Sequence, residues 1–193
     1  SLEQKYQWSL DLRPNVYEYD DCFLDILFEN DIHEFFKNTV GHELFLAHVQ
    51  CRVAYPSSPA NDRGYMEWHR DAYYYNHVGK VSGLLPPVYK IIFYPKIYEE
   101  EKPTLHFVKG SHLKFDRDQR SDIEGLRSLE LETITPSEDE FVFFNVMGTH
   151  STAPVQDTGG QSRVIYSFCL RDQLENYKDE SDLHQIYTSR LEK

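Results

Sequence analysis

His69 and Asp71 stand two residues apart in the stretch Gly64-Tyr65-Met66-Glu67-Trp68-His69-Arg70-Asp71, and an imidazole and a carboxylate at that spacing can share one ion. In an extended chain, side chains at i and i+2 leave the same face, so these two converge while Trp68 and Arg70 point the other way. A mixed pair of this kind suits a first-row metal. A second imidazole would complete a three-ligand face that leaves coordination positions open to other molecules. With nine histidines in 193 residues the pair alone is a weak signal, since a loop histidine beside a solvated aspartate is the ordinary reading. The rest of the chain has to supply the third ligand.

His150 is the best candidate. It follows the nearly continuous apolar run Glu140 to Val146 and Gly148, and opens the next extended segment. His106 inside an apolar strand, His112 after a turn, and His48 on an earlier strand are the alternatives. The run from Arg163 to Leu170 alternates, with Val164, Tyr166, Phe168 and Leu170 on one face and Arg163, Ile165, Ser167 and Cys169 on the other. An arginine that opens the less apolar face can clamp a carboxylate with its planar fork, as a lysine cannot. Arg52 belongs to a similar pattern. In the run from Leu44 to Tyr55, His48, Gln50, Arg52 and Ala54 share a polar face opposite Ala47, Val49, Cys51, Val53 and Tyr55. If that face lines a lumen, Arg52 is placed to meet an anionic substrate.

These residues need elements that bring them together. Asp20 or Asp21 can cap a helix through Leu24, Leu27 and Phe28, and Asp31 another through Ile32, Phe35 and Phe36 to Gly41, which makes residues 1–43 a helical section. The β core then spans about 44–171. Its strands are 44–55, 88–94, 104–108, 129–134, 140–146, a segment from His150, and 163–170, about seven or eight in all with no helices alternating between them. Antiparallel strands in that number close as a sandwich, barrel or jelly roll, and the early helices can cover one outer face. Residues 172–193 read as a tail or terminal helix. The loop from Pro56 to Gly64 reads as a flap, and Tyr73 and Tyr75, just past the paired ligands, as a substrate wall.

Length and composition set the frame. The expectation is one domain over residues 1–193, long enough to bury a core without staples. The three cysteines, widely spaced and without a CxxC pair, suggest neither a disulfide framework nor a zinc knuckle. With no leader-like start and no long apolar run, the expectation is a cytoplasmic protein with no membrane partner. A net charge of −12 disfavours binding to nucleic acid, which draws its affinity from lysines and arginines.

The ordered set His69-x-Asp71, His150, Thr152 and Arg163, with Lys102-Pro103-Thr104-Leu105-His106-Phe107-Val108-Lys109-Gly110-Ser111-His112 between, resembles the phytanoyl-CoA dioxygenase-like group of Fe(II)/2-oxoglutarate oxygenases over roughly residues 44–171. The resemblance implies a mainly β double-stranded β-helix, a cupin-like jelly roll with N-terminal helices packed outside. It implies Fe(II) held by His69, Asp71 and His150, and 2-oxoglutarate and O2 as co-substrates. Arg163 would pair with the far carboxylate of 2-oxoglutarate, with Thr152 beside it and Tyr89 or Lys90 contributing from the strand after the first two ligands. The chain departs from the group's pattern at Lys109, where proline is usual, and at Glu138-Asp139, where Gly-Asp is usual. The implied activity is hydroxylation of a small, partly polar molecule touching Arg52, Tyr73 and Tyr75, with release of succinate and CO2. Desaturation or epimerisation by the same cofactors, hydroxylation of a peptide side chain, and a cupin-like module that binds metal or a small ligand without turnover are the alternatives.

Overall fold

The computed structural model describes residues 10–29, 31–54, 68–71, 89–97, 102–113, 130–152, 161–173 and 181–191; Tyr73, Tyr75 and the 56–64 loop lie outside the described residues. Eight strands run through them: β1 (Leu10–Pro14), β2 (Phe45–Ala54), β3 (Tyr89–Phe93), β4 (Leu105–Val108), β5 (Leu131–Ile134), β6 (Phe141–Asn145), β7 (His150–Thr152) and β8 (Gln161–Cys169). They form two antiparallel sheets, one in the order β1-β2-β8-β3-β6 and one in the order β5-β4-β7. The last strand returns to the middle of the larger sheet, between β2 and β3, as in a jelly roll and unlike a meander.

Two apolar layers hold the larger sheet. Leu46 and Val49 of β2, Ile91 of β3, and Val164, Tyr166 and Phe168 of β8 face three helices: α1 (Cys22–Glu29), α2 (Ile32–Val40) and α3 (Ser181–Leu191). Leu24 and Leu27 from α1, Ile32 and Phe36 from α2, and Leu183 and Tyr187 from α3 complete that layer. The Phe36 and Phe168 rings meet edge to face at 4.5 Å, an arrangement that adds to area burial. The other face carries Ile92, Tyr94, Val142, Phe144 and Ile165, which pack with Leu105 from the smaller sheet. The interior between the sheets is therefore a second, smaller core.

Local chemistry explains most of the boundaries. Asp20 Oδ1 accepts a hydrogen bond from the Cys22 N–H at 2.9 Å and caps α1 as its type suggests. Gly41, at φ 73, closes α2 in the left-handed conformation that glycine adopts without penalty. Asp31 differs from its expected role. It is itself left-handed (φ 50), a conformation that aspartate tolerates, and makes no side-chain cap. The helical reading of residues 1–43 is corrected by β1, whose Leu12 pairs with Arg52. That segment gains its partners from the open edge of β2, and five residues are too few for a periodic signal. At the other end, Leu183 and Tyr187 are one helical turn apart and fully buried, and Arg190 binds Asp21 at 2.9 Å. Among the described residues, no helix is long and apolar enough to cross a membrane.

Phe36→Ala should lower the unfolding free energy by about 3–5 kcal/mol, because Phe36 is 2% exposed between α2 and β8. Leu113→Ala, at a position 79% exposed, should stay within about 0.5 kcal/mol of wild type. Urea unfolding of the two variants checks both.

Candidate active site

The segment carrying His69 pairs with the start of β7. The His69 N–H donates to the His150 carbonyl and the His150 N–H to the His69 carbonyl, both at 2.9 Å. This exchange sets the imidazoles side by side, with ring centroids 4.3 Å apart. Asp71 follows at i+2. Its Oδ1 lies 3.6 Å from His69 Nε2 and its Oδ2 3.7 Å from His150 Nε2, contacts too long for hydrogen bonds. One donor atom from each of the three residues lies within 4.8 Å of the others.

The electrostatics suit ligation. His150 Nδ1 sits 2.9 Å from the Gly148 carbonyl. The proton is thereby fixed on Nδ1, and the Nε2 lone pair points at the group. Burial lowers His150 to about 4 against the opposing pull of Asp71, so the ring is neutral near pH 7. Burial alone would raise Asp71, but the Lys90 ammonium, 2.9 Å from Oδ2, and the two imidazoles outweigh it and hold the carboxyl well below its usual range. Two imidazole nitrogens and one carboxylate form a donor set that fits Fe(II) or a similar first-row ion.

Behind the ligands lies a second set of contacts. Arg70, between the two ligands in sequence, is 1% exposed and points away from them; its Nε donates to Thr149 Oγ1 at 2.9 Å. Thr149 N–H donates in turn to the buried Ser111 hydroxyl at 2.8 Å. The Gly110-Ser111-His112 segment thus holds the residue next to His150, while His112 itself is exposed. Gly148 allows the close turn before it, since a Cβ there would stand 3.1 Å from the Asn145 carbonyl.

The larger sheet supplies the lumen wall in rows. His48, Ser167, Lys90 and Phe144 align across β2, β8, β3 and β6, and Gln50, Ile165, Ile92 and Val142 form the next row. Arg52 and Arg163 are direct cross-strand partners in the third. Burial pushes the Tyr94 hydroxyl, 1% exposed, up against the opposing pull of the Arg163 guanidinium, itself 6% exposed. Among the described residues, the charged groups acting on Lys90 are Asp71, Arg52 and Arg163. Lys90 and Arg163 lie four strand residues apart in register, roughly 13 Å at the usual rise.

The expected residues fall into three groups. His69, Asp71, His150 and Lys90 come together, Arg52 and Arg163 line the same lumen, and Thr152 lies on the His150 face of β7, opposite Leu105. Tyr89 is a correction. Alternation puts it on the helix side of β3, stacked on Phe143 at 5.4 Å, while its neighbour Lys90 enters the lumen. Of the alternative third ligands, His106 turns outward to Thr133 Oγ1 at 3.1 Å, and His48 lines the β2 wall. Arg70, Thr149, Ser111 and Tyr94 are missing from the expected set. Two sequence signals touch this set: a fully charged residue between two candidate ligands, and the Gly110-Ser111-His112 stretch that contains Ser111.

No protein-family model matches the chain, and no curated protein sequence matches it. Solved structures do. SnoN, a non-heme alpha ketoglutarate dependent epimerase from nogalamycin biosynthesis, matches with a TM-score of 0.66 at 14% identity over 84% of this chain and 61% of its own. SnoK, the carbocyclase of the same biosynthesis, gives 0.65 at 12% identity over 84% and 64%. HygX from Streptomyces hygroscopicus, solved with nickel and 2-oxoglutarate, gives 0.59 at 13% identity over 84% and 70%. The chain has the fold of these enzymes. It spans about three-fifths of the length of SnoN and SnoK.

Thr149→Val removes the acceptor of the buried Arg70 guanidinium while keeping the shape of the side chain. It should cost about 1–3 kcal/mol in urea unfolding and weaken Ni(II) or Fe(II) binding about tenfold in calorimetric titration. Acid should destabilise the metal-free protein in a defined window. His48 and His150 are both lowered to about 4 by burial, so between about pH 6.5 and pH 4 the unfolded chain binds protons that the folded one refuses. Stability therefore falls as pH drops through that window, and Asp71, protonated only at still lower pH, adds its loss below it. Melting temperatures across that pH range, at constant ionic strength, test the sign.

Proposed function

We propose that the chain is a non-heme Fe(II)/2-oxoglutarate-dependent oxygenase acting on a small, partly polar molecule. The observation that carries this reading is the His69, Asp71 and His150 group at the mouth of a lumen that also holds Arg163. A metal-binding module without turnover has no use for a buried arginine facing the same space. In this reading His69, Asp71 and His150 hold the iron, and Arg163, beside Tyr94, takes the far carboxylate of 2-oxoglutarate. Thr152 lies beside the co-substrate. Lys90 orients the Asp71 carboxylate through Oδ2. The bound metal supplies oxidative decarboxylation of 2-oxoglutarate to succinate and CO2, coupled to oxidation of the substrate.

The protein's own part is to orient and to exclude water. Phe107 and Phe144 pack against the His150 ring at 5.7 and 4.9 Å and keep that side of the group dry. Arg163 and the metal ligands fix the two ends of the co-substrate in this reading, and Tyr73 and Tyr75, outside the described residues, are assigned to the substrate by sequence alone. Hydroxylation is the first reading of the outcome. Epimerisation or ring closure is the second, favoured by the likeness to SnoN and SnoK. The solved SnoN complex with Fe3+, alpha ketoglutarate and nogalamycin RO gives that protein a small-molecule substrate, and a small molecule is proposed for this chain on the same ground.

Anaerobic titration with Fe(II) and 2-oxoglutarate should develop the weak visible charge-transfer band of the chelate, diminished at least about tenfold in apparent affinity by Arg163→Ala. Asp71→Ala should abolish succinate release in air. A folded, iron-loaded protein without the band would sink the oxygenase reading in favour of a binding module.

A further inference from the structure

Asp71 is shared between two kinds of partner. On one side stand the imidazoles of His69 and His150, whose Nε2 atoms lie 3.6 and 3.7 Å from its oxygens. On the other stands the Lys90 ammonium, 2.9 Å from Oδ2. The imidazoles owe their places to other groups, since the backbone exchange sets both residues and the Gly148 carbonyl holds His150 Nδ1. The carboxylate is placed differently. Among the described residues, Lys90 and the two imidazoles are the side chains that act on it, and Lys90 is the nearest of them.

The dependence runs both ways. The Lys90 and Asp71 side chains are equally deep, 15% and 14% exposed. Burial pulls the ammonium down and Asp71 pulls it back up, while Arg52 and Arg163 act in the same direction as burial. Asp71 is thus the counter-ion of Lys90. Removing one partner of such a pair leaves the other charge uncompensated, which is strongly destabilising. A divalent ion held by His69, Asp71 and His150 would be a second cation on that same carboxylate. Like charges a few ångströms apart in a buried site repel strongly. The ion would gain less from Asp71 than from a carboxylate without a resident cation, and Lys90 would lose part of its counter-ion. Each cation weakens the hold of the other, and the coupling is reciprocal.

We propose that Lys90 is an internal cation that competes with divalent metal for Asp71: it stabilises the metal-free protein and lowers the affinity of the three-ligand site, so the chain folds without metal and takes it up reversibly. This rests on the metal-binding part of the oxygenase reading and is independent of 2-oxoglutarate and of the substrate. It adds a charge effect to the orienting one, and the charge effect is the larger.

The test titrates chelator-stripped full-length protein with Ni(II), and with Fe(II) under anaerobic conditions, in a calorimeter at one neutral pH. Lys90→Gln keeps a hydrogen-bond donor without the charge, Lys90→Met keeps the reach without either, and Lys90→Arg keeps the charge. Lys90→Gln and Lys90→Met should bind metal at least about tenfold more tightly than wild type, and Lys90→Arg should stay closer to wild type than to either. Melting temperatures should move the other way. The metal-free Gln and Met variants should melt below wild type, and saturating Ni(II) should raise them by more than it raises wild type. If Lys90→Met does not fold without metal, Lys90→Gln and the refolding of Lys90→Met in Ni(II) decide the matter. Unchanged or weaker metal binding by both uncharged variants overturns the proposal and leaves Lys90 a residue that only orients Asp71, with the metal reading intact because wild type still binds. Binding by Lys90→Gln but not by wild type supports the proposal in its strongest form. Binding by neither wild type nor variants removes the metal reading itself, and the proposal with it.

Discussion

The candidate site depends on one backbone exchange, the pair of 2.9 Å hydrogen bonds between His69 and His150. Metal ligands have to be held to a fraction of an ångström, and this bridge joins two of the candidate ligands, His150 standing at the start of β7. A single bridge is a weak lock. The side chains on its reverse face strengthen it: Arg70 reaches Thr149, 79 residues away in sequence, and Thr149 is held by Ser111 from the turn that follows β4. A buried guanidinium is an expensive way to make such a connection, since its desolvation has to be met by good hydrogen bonds. Its planar, directional donors explain the choice, because they fix a position as an apolar contact would not.

The larger sheet solves a different problem, being apolar toward the helices and partly apolar, partly charged toward the lumen. On the helix side, α1, α2 and α3 bury large side chains from β2, β3 and β8, and this layer stabilises the sheet. That lets the lumen face hold charged groups beside its own smaller core. Three cations, the depressed Asp71 carboxyl, and His48 and His150, both lowered by burial, lie there within one neighbourhood. Such a concentration of shifted groups, remote from the helix-side core, is typical of a site under functional constraint.

How much of this was legible in the sequence follows from the range of each interaction. His69 and Asp71 could be paired from spacing alone, and the alternating faces of β8 put Arg163 apart from Val164, Tyr166 and Phe168, because both are local consequences of strand geometry. The choice of Lys90 over Tyr89 was open for the same reason that it is now decided. The two lie on opposite faces of β3, and which face meets the lumen depends on pairing with β8 and β6. Thr149, Ser111 and Tyr94 were hidden more deeply, since each matters through a partner brought near only by the closed fold. β1 was hidden because its pairing partner, the edge of β2, is specified by residues some forty positions later.

One irregularity ties the two faces together. The β2–β8 register shifts between Leu46 and His48, so Ala47 is an extra residue in the ladder. Leu46 and Val49, three apart, both face the helices, which strict alternation forbids. The bulge resets the phase. Without it, Leu46 on the helix side would require His48, Gln50 and Arg52 to follow it there, and the polar face of β2 would be driven into the apolar layer. The small side chain of Ala47, fully buried, is what the extra position can accommodate. One inserted residue thus lets the start of β2 anchor the helices and its remainder line the lumen, so the placement of Arg52 opposite Arg163 is a consequence of that bulge as much as of either arginine.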